Sequence, residues 1–115
     1  NMIVLRYSEI DEDSAIDARA RERELLDRSI AMLTKARDEG ATSMASVEAI
    51  HFTIRFWSAL LEDLASPENS FTEELRAGII SVGIWILREC ERVRQGESDN
   101  LTGIIDVTKI IREGF

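Results

Sequence analysis

The fold is decided by residues 47–93, which read VEAIHFTIRFWSALLEDLASPENSFTEELRAGIISVGIWILRECERV. This stretch contains two apolar helical segments joined by a short linker around Pro67. In each segment apolar residues recur at alternating steps of three and four, which keeps one face of a helix apolar along its length. The stripes consist of Val47, Ile50, Ile54, Trp57, Leu61 and Leu64 in the first segment, and of Leu75, Ile79, Val82, Ile86 and Val93 in the second. The stretch therefore predicts a helical hairpin at the centre of the fold.

Both helices of this hairpin carry a second apolar row. The rows are Phe52, Phe56 and Leu60 on the first helix, and Ile80, Ile84 and Leu87 on the second. On an ideal helix of about 3.6 residues per turn, they lie roughly 140° to 160° around from the main stripes. Either the first and last helices of the chain cover these rows, or the rows form a groove for an amphipathic helix from another protein. The sequence alone leaves both arrangements open.

The segment before the hairpin predicts a helix from Ser14, a suitable N-cap residue, to a stop at Gly40. Residues 1–13 are then a short N-terminal arm, apolar at its start and acidic at its end, which is either docked or mobile. Within this helix, residues 17–24 offer only small alanines between charges. That half is either a solvated extension, which is the usual role of a charge run, or a surface kept for a partner.

Linker and capping residues divide the rest of the chain. Pro67 ends the second helix, which is expected over about residues 44–64. Thr42 or Ser43, Ser70 or Thr72, and Asp99 or Asn100 are the candidate caps of the last three helices. The architecture expected is all-α, a small antiparallel bundle of four helices with a short N-terminal arm, in which residues 14–115 form a single helical domain.

Composition narrows the functional classes. With 22 acidic residues against 14 basic ones, the net charge is −8, and no basic run is available for phosphate contacts, so direct nucleic-acid binding is not expected. No window approaches the roughly 18 to 20 apolar residues of a membrane span, and the start of the chain has no signal-peptide pattern. The lone Cys90 cannot form an internal disulfide and lies on an apolar stripe. These features predict a soluble, cytoplasmic protein without membrane contact.

No group of residues supports catalysis or a cofactor. Glu48 and His51 have the Glu-x-x-His spacing of di-iron bundles, but such sites need two of these motifs and the chain has one histidine. Serine has no histidine base beside it, and no glycine-rich phosphate loop is present. We therefore expect no catalytic residues, no metal site, no cofactor and no enzymatic activity.

Surfaces are the remaining candidates for function. Trp57 lies in the main stripe and is expected in the core, whereas Trp85 lies off its stripe, beside Arg88, in a composition typical of binding hot spots. Gly78 and Gly83 each cost roughly 1 kcal/mol relative to alanine inside a helix, which a closely approaching backbone or a groove explains. The candidate partner-binding residues are Phe52, Phe56, Trp57, Ile80, Ile84, Trp85 and Arg88.

Several segments together resemble the FlaF family of flagellar biosynthesis regulators, found beside flagellin genes in alphaproteobacteria. The most specific of them runs from His51 to Asn69 and contains RFW and LEDLASPEN. The segments ELRA at 74–77, ISVGIW at 80–85 and IIREGF at 110–115 are also similar to the family, as is ARARER at 18–23. Thr72 departs from the family pattern, where proline is common, and so does Cys90, where alanine is expected. The resemblance covers nearly the whole chain.

The resemblance implies a cytoplasmic flagellar assembly factor. By that likeness, the chain binds flagellin as an export chaperone, through a terminal amphipathic helix of flagellin, and helps to regulate flagellin synthesis. The alternative is a purely regulatory adaptor that acts through the FlbT-type translational regulator of flagellin messenger. Flagellin is therefore the expected partner, and a FlbT-type regulator is a possible second one.

Overall fold

The computed structural model describes the backbone of residues 2–115 and the side chains from residue 12 onward. It consists of four helices, which are α1 (Met2–Glu39), α2 (Met44–Ala65), α3 (Glu73–Arg94) and α4 (Leu101–Glu113). Helix α1 contacts α2 and α4, and α3 also contacts α2 and α4, so the helices pack as a closed ring. Short linkers make chain neighbours antiparallel. The expected all-α bundle of four helices is confirmed.

The caps settle the alternatives left by the sequence. Ser43, Thr72 and Asn100 are the N-caps of α2, α3 and α4. In each case the side-chain oxygen accepts a hydrogen bond from the backbone N–H of the third helical residue, at 3.1, 3.2 and 3.0 Å respectively. Gly40 and Gly96, which follow α1 and α3, have φ angles of 109° and 76°, a region that glycine enters at no steric cost.

The start of the first helix differs from the prediction. Helix α1 begins at Met2, so the start expected at Ser14 is wrong. A serine inside a helix lowers helix propensity only slightly, and no glycine or proline precedes Gly40 to interrupt the helix. The side chains of residues 1–11 lie outside the described part of the structure. The division into an arm of residues 1–13 and a domain of residues 14–115 therefore stays a prediction.

The core is centred on Trp57, whose side chain is completely buried, as its place in the main stripe predicts. The ring of Phe56 meets the indole edge-on, with centroids 5.8 Å apart and an interplanar angle of 87°. All four helices contribute fully buried aliphatic side chains around this pair, including Leu26, Leu33, Leu64, Ile86, Ile104 and Ile105. The core is therefore one continuous cluster rather than two separate layers.

The two glycines inside α3 have opposite surroundings. A Cβ atom added to Gly83 would lie 2.7 Å from Cε3 of Trp57 and 3.0 Å from a methyl carbon of Leu61. A Cβ atom added to Gly78 would meet nothing within 4 Å. Gly83 is thus required by a close approach, although the neighbour is an indole ring and not a backbone. Nothing in the described part of the chain packs against Gly78.

Replacement of each glycine by alanine should therefore change stability with opposite sign. Gly83→Ala forces the buried indole to shift, and we expect it to lower the free energy of unfolding by about 1–2 kcal/mol, since overpacking outweighs the propensity gain. Gly78→Ala should raise the free energy of unfolding by about 0.5–1 kcal/mol, because a methyl group fits there and alanine favours the helix. Urea denaturation measures both, and a loss of stability in Gly78→Ala would contradict the open surroundings described.

Cys90 should behave as an inert thiol in the folded protein. Its side chain is completely buried, and burial together with the nearby Glu89 raises the pKa of the thiol to about 12. At pH 8 we expect a disulfide-exchange reagent to label native protein only at the rate of unfolding, and to label urea-unfolded protein within seconds. Rapid stoichiometric labelling in native buffer would contradict this placement.

Candidate functional site

The second apolar row of α2 is covered by α1. Phe56 is 8% exposed and Leu60 is 4% exposed, so both belong to the core. Phe52 is half-buried, and the Arg28 guanidinium of α1 lies 5.2 Å from the centre of its ring. Phe56 and Trp57, two of the predicted partner-binding residues, are therefore unavailable to a partner in this conformation. Phe52 is only partly accessible at the surface.

The second row of α3 is covered only in part. Ile84 is 41% exposed, while Ile80 and Leu87 are half-buried. The physical reason is the ring arrangement, in which α3 contacts α2 and α4 but not α1 in the described structure. A helix flanked on two sides keeps its outward rows in solvent. The second row of α2 is thus covered by α1, whereas no described helix covers the side of α3 on which Ile84 lies.

Apolar residues of α2 extend this open row into a wider surface. We call it the α2–α3 face, and it consists of Val47, Ile54 and Leu61 of α2 with Ile80, Ile84 and Leu87 of α3. The α2 members recur every seven residues, which places them on one side of that helix. At the end of the face near Val47, which is 60% exposed, a groove of about 390 Å³ opens between α2 and Val93 of α3.

Arg88 borders the α2–α3 face, whereas Trp85 does not. Arg88 is exposed one turn beyond Ile84, and its guanidinium has no carboxylate within 4 Å among the residues with described side chains. Trp85 is 39% exposed, but five positions along the helix turn it about 140° away from Ile80. The structure therefore brings Ile80, Ile84 and Arg88 together and places Trp85 on another side of α3.

The charged half of α1 holds a cluster that sequence reasoning missed, centred on Arg19. The Arg19 guanidinium lies 4.1 Å from the centre of the Phe71 ring and donates a hydrogen bond of 3.0 Å to Glu22. It also lies 3.8 Å from Asp63, which in turn accepts a hydrogen bond of 2.9 Å from the Asn69 side chain. One side of this half of α1 is thus packed against the linker between α2 and α3, while Asp17, Arg21 and Glu24 on its other side are exposed.

The same cluster, which we call the Arg19 clasp, includes the end of the chain. The rings of Phe71 and Phe115 meet edge-on with centroids 5.3 Å apart, and the Arg23 guanidinium donates to the carbonyl of Phe115. Beside it, Arg112 of α4 pairs with Asp27 of α1 at 2.9 Å. The signal in the sequence was the pair of aromatic residues, one after Pro67 and one at position 115, which no helical stripe used.

Charges inside the clasp are only partly compensated. Both Arg19 and Glu22 have side chains that are 15% exposed. Burial raises the pKa of the Glu22 carboxyl, and the Arg19 guanidinium lowers that pKa only in part. Nε of Arg19 is 2.9 Å from Glu22 but is not aligned for a hydrogen bond, so that Nε and Nη1 lack hydrogen-bond partners in the described structure. The guanidinium stacks on the Phe71 ring instead.

The described residues form no site suited to binding a metal ion. Glu48 and His51 are both exposed on α2, and no group of three or more His, Cys, Asp or Glu residues is placed to hold a metal ion among the described residues. None of the described helices combines the length and the apolar character needed to cross a membrane.

The family model described as Flagellar protein FlaF matches residues 4–115. The chain belongs to the FlaF family. No curated protein and no solved structure matches it significantly. The segments on which the FlaF resemblance rests, around Arg19, Asn69 and Phe115, come together in the Arg19 clasp. These three segments of the FlaF sequence thus form the contacts that close one end of the bundle.

Loss of the clasp should lower stability in a manner that depends on pH. Arg19→Ala leaves the Glu22 carboxylate buried without its cation, and we expect a loss of about 1–3 kcal/mol at pH 7. In the variant, the pKa of Glu22 in the folded state rises further. When a carboxyl group has a higher pKa in the folded state than in the unfolded state, the free energy of unfolding falls as the pH increases through these pKa values. The loss should therefore be smaller near pH 4, where Glu22 is protonated.

Urea denaturation at the two pH values measures this difference. Arg37→Ala is the matched control, because Arg37 is exposed near the other end of the same helix and should change stability by less than about 0.5 kcal/mol. An Arg19→Ala deficit that is equal at both pH values would show that Glu22 does not depend on Arg19.

Proposed function

We propose that this FlaF protein binds flagellin in the cytoplasm as an export chaperone and, through that binding, helps to regulate flagellin synthesis. The observation that carries the proposal is the partly exposed second row of α3, of which Ile84 is 41% exposed. A contiguous apolar surface of this kind on a small protein is typical of a binding site. Family membership supports the flagellar role, and the likeness noted above names flagellin as the partner.

The α2–α3 face has the shape that an amphipathic helix requires. Two neighbouring helices present apolar side chains at spacings of three, four and seven residues, and a groove opens between them at the Val47 end. A third helix laid along the face would place its own i, i+3, i+4 and i+7 anchors between these ridges. In the proposed mechanism the guest is a terminal helix of flagellin, which is thereby kept from polymerising until it reaches the export apparatus.

Polar groups at the border of the face would orient the guest. Arg88 lies beside Ile84 without a carboxylate partner in the described part of the chain. A carboxylate on the guest helix would pair with it at the rim, where such a pair mainly raises the association rate and fixes the register. The affinity itself would come from the apolar anchors at the centre of the face.

Ile84→Asp should therefore weaken flagellin binding without unfolding the bundle. The change places a charge at the middle of the proposed contact, and we expect the dissociation constant to rise by about 10- to 100-fold. Isothermal titration with purified flagellin measures the change, and circular dichroism checks that the variant remains helical.

The control for this experiment is Ile16→Asp. Ile16 is 63% exposed on α1, a helix that does not contact α3 in the described structure, and the chemical change is the same. We expect the control to bind flagellin within about twofold of the parent. If Ile84→Asp binds as tightly as Ile16→Asp, the α2–α3 face is not the flagellin site.

The alternative is an adaptor that regulates flagellin synthesis through a FlbT-type regulator and does not itself bind flagellin. Co-purification separates the two, because a chaperone forms a stoichiometric complex with flagellin in the absence of a third component. Recovery of flagellin only when the FlbT-type regulator is added would favour the adaptor. Neither proposal includes catalysis, a cofactor, direct nucleic-acid binding or membrane contact.

A further inference from the structure

We propose that this protein forms an antiparallel dimer, in which residues 2–11 of each copy occupy the groove between α1 and α2 of the other copy. The occupant of the groove is thus a defined segment of a second copy of the chain. This inference goes beyond the proposed function, because the groove does not include the α2–α3 face. Phe52 in the groove and Ile54 in that face point about 160° apart on an ideal helix.

The groove between α1 and α2 has apolar walls and a volume of about 570 Å³. Leu25 and Met32 of α1 form one wall, and Phe52 and Phe56 of α2 form the other. Leu25 is 39% exposed, while Met32 and Phe52 are half-buried. The groove therefore presents apolar side chains to a helix that lies along α1.

The α1 wall belongs to a longer row of residues that also runs through residues 2–11. Helix α1 is continuous from Met2 to Glu39, and on an ideal helix the row falls within an arc of about 60°. Its members are Ile3, Tyr7, Ile10, Ser14, Arg21, Leu25, Arg28 and Met32. Amphipathic helices in proteins are held mainly by packing of their apolar face. The row therefore predicts a contact surface for the apolar residues of the segment 2–11.

The row is complementary to itself when two α1 helices lie antiparallel. With a two-fold axis between Asp17 and Ala18, every member of the row stands opposite another member in the second copy. This is the self-complementarity that an isologous dimer contact requires. The pairs between the copies are Ile3 with Met32, Tyr7 with Arg28, Ile10 with Leu25, and Ser14 with Arg21.

A chain cannot place this segment in its own groove. Ile10 and Leu25 lie on the same continuous helix, about 22 Å apart along its axis at about 1.5 Å per residue. As long as α1 is one helix, only the segment of another copy reaches the groove. The contact is reciprocal, so each dimer fills two grooves with two segments.

The charges on the two sides of this contact are complementary. Residues 9–13 contain four carboxylates and no cation, and in the antiparallel register they lie beside Leu25 of the other copy. The groove is bordered there by Arg55, which lines it, and by Arg28, whose guanidinium lies 5.2 Å from the centre of the Phe52 ring. Neither guanidinium has a carboxylate within 4 Å in the part of the chain whose side chains are described. The acidic turn of one copy thus meets two unpaired arginines of the other.

Two carboxylates of the host also lie near the groove. Glu48 lines it two turns before Arg55, toward Met32, and there it meets the first turns of the segment and not residues 9–13. Glu24 lies one turn from both Arg21 and Arg28 on α1, which compensate its charge. The contact therefore joins opposite charges although each chain carries −8, and salt should weaken it by screening.

The oligomeric state of the full-length protein tests this proposal. Sedimentation equilibrium should show a dimer at about 0.1 mM protein, and Ile10→Asp should raise its dissociation constant by at least about tenfold. Ile16→Asp is the matched control, because Ile16 is 63% exposed about 120° around α1 from Ile10 and the chemical change is the same. The control should leave the dissociation constant within about twofold of the parent. A monomeric parent, or equal effects of the two variants, would overturn the proposal.

A mixing experiment identifies the groove as the second side of the contact. Leu25→Asp changes the exposed wall of the groove and should dissociate the dimer as Ile10→Asp does, while circular dichroism checks that both variants remain helical. When the two variants are mixed, the intact segment of one meets the intact groove of the other, so heterodimers should form. A dimer that Leu25→Asp leaves intact would show that the segments pair with each other, and it would overturn the assignment. Absence of heterodimers from the mixture would overturn it as well.

The dimer and the proposed flagellin site are tested separately. Ile84→Asp, on the α2–α3 face, should leave the dissociation constant of the dimer within about twofold of the parent. An effect of Ile84→Asp equal to that of Ile10→Asp would assign self-association to the α2–α3 face and overturn the proposal. The flagellin titrations use that face, so failure of the proposed function leaves the outcomes for Ile10→Asp and Leu25→Asp unchanged.

Discussion

The contact of the Trp57 indole with the bare backbone at Gly83 is the constraint on which the rest of the bundle depends. It sets the separation of α2 and α3, and the buried side chains of α1 and α4 fill the space around the indole. The indole Nε1 lies buried without a hydrogen-bond partner in the described structure, at a cost of about 1–3 kcal/mol. Truncation of a buried tryptophan typically costs about 3–5 kcal/mol, so the packing outweighs that loss. Because α2 and α4 flank α3 on two sides, the remaining rows of α3 face outward.

The Arg19 clasp explains how a small ring of helices remains closed at one end. A proline turn, the charged half of α1 and the last residue, Phe115, meet there. The guanidinium of Arg19, which belongs to that half of α1, lies over the Phe71 ring, near the Phe115 ring and 3.8 Å from Asp63. Exposed pairs such as Arg112 with Asp27 contribute little by themselves, at about 0.2–1 kcal/mol. The stacking of Arg19 on Phe71 joins α1 to the linker where both partners are largely shielded from water, and a cation–π contact is stronger there than at an exposed site. Stability is thus concentrated in the core and the clasp, away from the open faces of α3.

The helices, their caps and the place of Trp57 follow from local rules, and the sequence predicts them well. Periodic stripes, Pro67 and the capping residues act within a few positions of the chain. The start of α1 was missed because a good cap at Ser14 does not stop a helix that has no breaker before it. The burial of Phe56 and the Arg19 clasp could not be predicted, because both depend on which helices become neighbours. That choice is made by the three-dimensional packing of α1 on α2 and of α4 on α1.

Exposed apolar rows on a small protein are normally a liability, since two copies can bury them against each other. Here the net charge of −8 opposes that association. Helix α3 can therefore keep open rows in water while it carries the core residues Ile79, Gly83 and Ile86 on its inner side. The charge thereby opposes self-association through α3 while these apolar rows remain exposed.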